Sequence, residues 1–324
     1  MSEQKGFMGP EEIPTSPSNG QQDASTQSQQ PPTEASGFDL LPHEPMPKEP
    51  SVLGSTKAVE TDVNNIVITV NDPTPVVVLF GACTSGKTMT LVRLTQYLEQ
   101  QGYQIIPDPL FRPADDNHYK TMCKNYLKLC HGKYAPGGNN VINFMLIKVL
   151  DKIGRPICQL LEAPGEHYFD PSEPKKQFPT YITNILKLRN RRTWMFIVEQ
   201  DWGGEQEIRD MYVARIKSMP STIKRDKIIF TCHKVDEHSE LTLANGMPNT
   251  SQIFKNLMNQ YPGIFDNFRN TNPITRLFKK YNFAFIPFSA GAFTPTESGK
   301  QVYTPGEDVY PRMLWKAILK TVKG

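Results

Sequence analysis

The chain has no long apolar run, little cysteine and almost no charge excess. No uninterrupted stretch approaches the roughly 20 apolar residues that span a bilayer. The N-terminus lacks a basic region followed by an apolar segment, so a soluble, non-secreted, cytoplasmic protein is expected. The 5 cysteines, Cys83, Cys123, Cys130, Cys158 and Cys232, are odd in number and scattered, which suits a reducing compartment rather than a disulfide framework. With 36 basic and 33 acidic residues the net charge is +3, too balanced to imply a nucleic-acid or membrane surface. Partners therefore have to be argued from sites.

What is present is one strong motif. The run Val76-Val77-Val78-Leu79-Phe80 passes directly into Gly81-Ala82-Cys83-Thr84-Ser85-Gly86-Lys87-Thr88, which matches G-x-x-x-x-G-K-[ST] at every fixed position. A β-branched run before it and an amphipathic helix after it supply the context of a phosphate-binding loop. Gly81 and Gly86 let the backbone curl so that successive N–H groups, continuing to Met89 in the first helical turn, converge on an anion. Lys87 adds a point charge on the β- and γ-phosphates, and the Thr88 hydroxyl is a ligand for Mg²⁺. The helix shows Leu91, Leu94, Thr95 and Leu98 on one stripe and stops at Gly102. An ordinary strand-turn-helix with chance glycines is the competing reading, and the flanks count against it.

Around this motif the chain reads as a tail and one large domain. Residues 1–60, rich in Pro, Gln and Ser, bury too little apolar surface to order and form a disordered tail, with Phe38-Asp39-Leu40-Leu41 as a candidate docking motif; residues 61–324 form the domain. Asn65-Ile66-Val67-Ile68-Thr69-Val70 reads as an edge strand. Residues 105–140 read as a long irregular, proline-rich insert. Val141 to Leu150 and Pro156 to Glu162 read as a hairpin. Strands at Trp194 to Val198, Lys227 to Cys232 and Ala284 to Phe288 alternate with helices near Tyr181, across 205–219 and from Tyr310 to Val322. Such alternation implies an α/β, three-layer fold around a mostly parallel sheet.

The hairpin after the first helix, the acid ending its second strand and the Pro-Gly turn beyond it resemble a Ras-like GTPase domain of the translation-factor-related (TRAFAC) class, over roughly residue 65 to the C-terminus. The resemblance implies a P-loop sheet with GTP or GDP and Mg²⁺ as ligands. Glu162-Ala163-Pro164-Gly165 stands where the family has Asp-x-x-Gly, which makes Glu162 the carboxylate facing the metal and Gly165 the γ-phosphate contact. Relatives usually follow that glycine with Gln or His; here Glu166, a candidate catalytic residue with Lys87 and Gly165, repels a phosphate and implies slow hydrolysis unaided. Thr121 is the candidate for the mobile-loop threonine that closes on Mg²⁺. His233-Lys234-Val235-Asp236 stands for the guanine-specifying Asn/Thr-Lys-x-Asp, with His233 in place of asparagine, the Lys234 stem along the base and Asp236 accepting from guanine N1–H and N2–H. Ser289-Ala290-Gly291 stands where the family has Ser-Ala-Lys, the backbone N–H there meeting guanine O6.

Weaker constellations compete with plain structural readings. His118, Cys123, Cys130 and His131 lack paired metal-ligand spacing and read as core or solvated residues before zinc ligands. Arg112 is an arginine-finger candidate against a surface arginine. Trp202-Gly203-Gly204 and Arg191-Arg192 lie near strand ends where partners dock. Lys316, Lys320 and Lys323 oppose an apolar face that reads as packing on the sheet before contact with a membrane. The implied protein is a GTP-binding switch with a protein effector or regulator, no nucleic acid and no transmembrane segment, and with pairing of two chains left open. Two alternatives stand beside it: a catalytically impaired, nucleotide-bound interaction module, and an ATP-dependent P-loop enzyme.

Overall fold

Strands of four to eight residues form a central sheet whose middle strand has no exposed surface. The computed structural model describes residues 62–132, 144–199, 205–297 and 301–323. The expected tail, Trp202-Gly203-Gly204 and the segment Val141-Ile142-Asn143 lie outside the described residues. Seven strands order as β2-β3-β4-β1-β5-β6-β7, with β1 Val76–Phe80, β2 Gln104–Pro107, β3 Met145–Leu150, β4 Pro156–Glu162, β5 Arg192–Glu199, β6 Lys227–His233 and β7 Ala284–Pro287. β1 pairs in parallel with β4 and β5, and β5, β6 and β7 continue in parallel. Only β3 runs against its neighbours. Strands buried on both faces need no polar alternation, which is why β1, β5 and β6 read as continuous hydrophobic runs.

Helices cover both faces. α1 Lys87–Gln100 packs against α2 Asn117–His131 and α8 Val309–Lys323. On the other side Tyr212, from α5 Gln206–Lys217, meets Phe80 and Phe169 ring to ring. α3 Gly165–Tyr168, α4 Thr180–Leu186, α6 Thr250–Gln260 and the short α7 Pro273–Phe278 complete the helices among the described residues. α1 ends as its sequence implies, with Gly102 at φ 82° beyond the last turn.

Three expectations are corrected. Residues 105–132 are not an irregular insert: β2 extends the sheet edge against β3, and α2 buries Tyr119, Met122, Tyr126, Leu129 and Cys130 at helical spacing. Asp116 caps that helix by accepting from the Tyr119 N–H at 2.8 Å. Residues 66–70 form no sheet strand; the Thr69 N–H donates to the Phe111 carbonyl at 2.8 Å. After β7 the chain does not run straight into the last helix, because β8 Gly291–Pro295 and β9 Gln301–Pro305 form a separate antiparallel hairpin.

Candidate functional site

Parallel strands deliver their carboxyl ends to one end of the sheet, the usual ligand crevice of an open α/β sheet. Every site residue read from the sequence except Thr121 lies there, at the end of β4 or β6, on a loop after β1, β4, β6 or β7, or on the first helical turn that follows. At the centre, the phosphate-loop residues 81–86 bridge β1 to α1. Gly86 adopts φ 84°, and a Cβ there would lie 2.8 Å from His233 Nδ1, so both conformation and crowding demand glycine. Thr84 also takes a left-handed φ of 60°. α1 begins with no side-chain cap, which leaves its first amides to an external acceptor. Lys87 is buried, and its Nζ donates to the carbonyls of Gly81 at 3.1 Å and Ala82 at 2.8 Å. Burial lowers its pKa, against the pull of Glu162, Cys83 and Glu166.

The end of β4 closes on this loop. The Thr88 hydroxyl donates to Glu162 Oε1 at 2.5 Å. Glu162 is fully buried; burial pushes its carboxyl up to about 7 while Lys87 and Thr88 hold it down. Its second oxygen, Oε2, has no hydrogen-bond partner. Three residues on, a Cβ at Gly165 would lie 2.3 Å from the Cys83 nitrogen and 2.4 Å from the Ala82 carbonyl carbon. Gly165 is therefore glycine because its backbone packs directly on the phosphate loop. Glu166 follows, exposed, on the single turn of α3.

The β6 and β7 loops form a second corner. His233, buried at the end of β6, stacks on Phe288 with centroids 5.1 Å apart and places Nε2 3.2 Å from Thr90 Oγ1. It thereby packs the β6 loop against the phosphate-loop helix. Lys234 takes φ 57° and pairs with Glu199 Oε2 at 2.6 Å, while Asp236 stands exposed on the turn beyond. Ser289 Oγ accepts from the Gly291 N–H at 3.1 Å, and the Ala290 carbonyl accepts from Tyr303 Oη at 2.7 Å and the Gly306 N–H at 3.1 Å. Gly291 has φ 123°, and a Cβ there would come within 2.1 Å of the Thr304 carbonyl oxygen. The β8–β9 hairpin thus excludes any side chain at the position where the family carries lysine.

The phosphate loop, the antiparallel strand β3 leading into β4 and the Glu162-to-Gly165 turn seated on the loop decide the architecture. The fold is a three-layer α/β sandwich around a mostly parallel sheet, with the phosphate-loop sequence directly after its central strand. No family model and no curated protein matches the chain. Among solved structures this chain is similar to a protein described as nucleolar GTP-binding protein 1 from Plasmodium falciparum, at 15% identity and TM-score 0.37, covering 78% of this chain and 90% of that one. It is also similar to Toc33 from Arabidopsis thaliana, at 11% identity and TM-score 0.37 over 77% and 84% of the two chains. A third likeness is to a chain of the signal recognition particle receptor SRb-GTP/SRX complex from Chaetomium thermophilum, at 12% identity and TM-score 0.34 over 76% and 99%.

The residues at this end of the sheet fit the expected ligands. Thr88 and Glu162 place two hard oxygens together, one carboxylate oxygen being buried without a partner, which suits a partly hydrated Mg²⁺. The uncapped start of α1 suits phosphate. Thr121 is not brought to them. It lies exposed on α2 and donates its hydroxyl to the Asn117 carbonyl at 2.9 Å. A helix, not a mobile loop, carries it, so the metal-ligand expectation is not carried forward for that residue. Arg112 likewise is no finger: it donates to Asp116 at 2.9 Å and to the Val67 carbonyl at 2.6 Å, holding the start of α2. His118, Cys123, Cys130 and His131 lie along α2, with Cys130 buried, Cys123 half-buried and both histidines exposed.

Sequence reasoning missed two supports. Glu199 closes β5 and holds Lys234; an acid ending a buried apolar run was its signal. Arg93, buried on α1, donates through Nε and Nη2 to the Gly306 carbonyl at 3.2 and 2.7 Å and pairs with Asp308. It ties the loop behind Ala290 to the phosphate-loop helix, and a cation between Leu91 and Leu94 on a buried stripe was its signal.

Proposed function

We propose that this domain binds a guanine nucleotide with Mg²⁺, hydrolyses GTP slowly on its own, and reports the γ-phosphate to a protein effector or regulator through the segment around Gly165. The observation that carries this reading is the 2.5 Å contact between Thr88 and Glu162, which joins the phosphate loop to the end of β4. Gly165, packed on Ala82 and Cys83, is where loss of a phosphate contact would be felt first.

Bound Mg²⁺ would neutralise phosphate charge and fix oxygen geometry. Thr88 and Glu162 would hold it, Lys87 would supply the fixed positive charge, and the first amides of α1, through Met89, would donate to phosphate oxygens. Asp236 would accept from guanine N1–H and N2–H, whereas adenine offers an acceptor at N1 and leaves the carboxylate unmatched. The Ala290 N–H, on a loop braced by Tyr303 and Gly306, is the donor for guanine O6. Glu166, a carboxylate beside the phosphates, slows attack by water. That same residue supports a second reading, a nucleotide-bound interaction module without turnover.

Titration with fluorescent GTP and ATP analogues in Mg²⁺ tests the proposal. Binding should favour GTP, be lost in Lys87→Ala and lose its base preference in Asp236→Ala. Equal or better ATP binding would overturn the guanine assignment. Single-turnover hydrolysis then separates the slow enzyme from the inert module.

A further inference from the structure

The balanced net charge conceals a polarised molecule. Residues 270–280 form a pinched loop: Arg269 and Tyr281 bridge at its neck, the Asn270 N–H donates to the Lys280 carbonyl at 3.0 Å, and the Asn282 N–H donates to the Phe268 carbonyl at 2.7 Å. α7 forms the tip. There Ile274 is 70% and Leu277 83% exposed. The loop carries Arg276, Lys279 and Lys280, all exposed, and no acid.

Topology places more cations beside it. The loop leads into β7, so it lies at the end of the sheet opposite the phosphate loop. Lys227 pairs in register with Thr193, and Ala284 with Ile229, so the starts of β5, β6 and β7 are neighbours. Exposed Arg189 and Arg191 precede β5, and exposed Lys224 and Arg225 precede β6. Arg191 donates to the Val322 carbonyl at 2.5 Å, which brings the C-terminal turn of α8 to the same end. The nearby acids are engaged from within: Asp226 by Arg192 and the Trp194 indole, Asp266 by Lys217 and Arg269.

We propose that this end of the sheet docks on an anionic lipid bilayer, with Ile274 and Leu277 inserted and the surrounding cations on headgroup phosphates. Aliphatic side chains at the tip, with Arg276 between them and Lys279 and Lys280 toward the neck, match the hydrocarbon and headgroup phosphates met on entering a membrane. A nucleic acid would meet the same cations but gives no place to exposed aliphatic side chains, since bases stack on aromatic ones. The pinched neck pre-orders the loop and so lowers the entropy lost on docking. Docked this way, the nucleotide end faces away from the bilayer.

The test is sedimentation of the full chain with phosphatidylcholine vesicles, with and without phosphatidylserine, at low and high salt. Binding should require phosphatidylserine and weaken with salt. At about fivefold per cation, Arg276→Gln/Lys279→Gln/Lys280→Gln should lose about 100-fold in partitioning. Ile274→Ser/Leu277→Ser should lose about tenfold while keeping the salt dependence. As a reading independent of variants, backbone amides of 270–280 should exchange more slowly on vesicles. The proposal is overturned if the wild-type chain ignores phosphatidylserine, if both variants bind as wild type does, or if 270–280 gains no protection. It is equally overturned if RNA or an acidic protein, and not vesicles, is bound through these residues.

Discussion

Replacing His233 by asparagine should remove much of the protein's sensitivity to acid. The imidazole is buried between Thr90, Phe288 and the Gly86 backbone. Burial first, then the charges of Lys234 and Lys87, hold its pKa down at about 3. The unfolded chain takes up that proton near the ordinary value of about 6.5. A depressed folded-state pKa means that the stabilisation is complete above the unfolded value and is lost as pH falls toward the folded one. From the ratio of the two titrations, the loss between about pH 8 and about pH 5 is about 2 kcal/mol. Asparagine keeps a polar group facing Thr90 and does not titrate. Urea unfolding of both proteins at the two pH values isolates the imidazole, because the other titrating groups are shared and any constant cost of the substitution cancels. The wild-type protein should lose about 2 kcal/mol more than His233→Asn on acidification. Equal losses, within about 0.5 kcal/mol, would refute a buried neutral imidazole.

Three further outcomes follow from close contacts and charge. Gly165→Ala drives a methyl into the Cys83 nitrogen, so it should cost about 2 kcal/mol or more in urea unfolding and abolish GTP-analogue binding; unchanged values would mean that the turn does not sit on the loop. Gly291→Lys, which restores the residue usual in the family, should lower stability by about 2 kcal/mol, because φ 123° and the Thr304 carbonyl exclude a side chain. A neutral thermal melt would contradict closure of the β8–β9 hairpin. Glu166→Gln removes a carboxylate beside the proposed phosphate site and should tighten GTP binding and speed single-turnover hydrolysis by about fivefold each; slower hydrolysis would instead make Glu166 a working base.

Elements with a strong local signal were legible from composition and spacing. Residues 81–88 carry their own turn chemistry in two glycines, and β1, β5 and β6 announce themselves as apolar runs because both their faces are buried. The hairpin β3–β4 and the terminal helix α8 were equally plain. α2 was hidden by Pro107, Pro109 and Pro113 just before it, although the Asp116 cap and the spacing from Tyr119 to Cys130 were there to be counted. β2 was not legible locally: four residues gain strand character only by pairing with β3, 40 to 46 positions later.

The sequence by itself determined the phosphate loop, the order of alternating strands and helices, and the residue types a nucleotide and Mg²⁺ need, because each of these is written in spacings of a few residues. Tertiary structure alone decided the rest, because the deciding contacts join distant parts of the chain. Glu162 reaches Thr88 across 74 positions and His233 reaches Thr90 across 143. Gly291 stands where lysine was expected because Thr304 closes on it, and Thr121 is withdrawn from the metal because α2 holds it. Cations that cancel in the total charge gather at one end of the sheet only once parallel strands and returning helices bring 189–191, 224–225, 276–280 and 320–323 together.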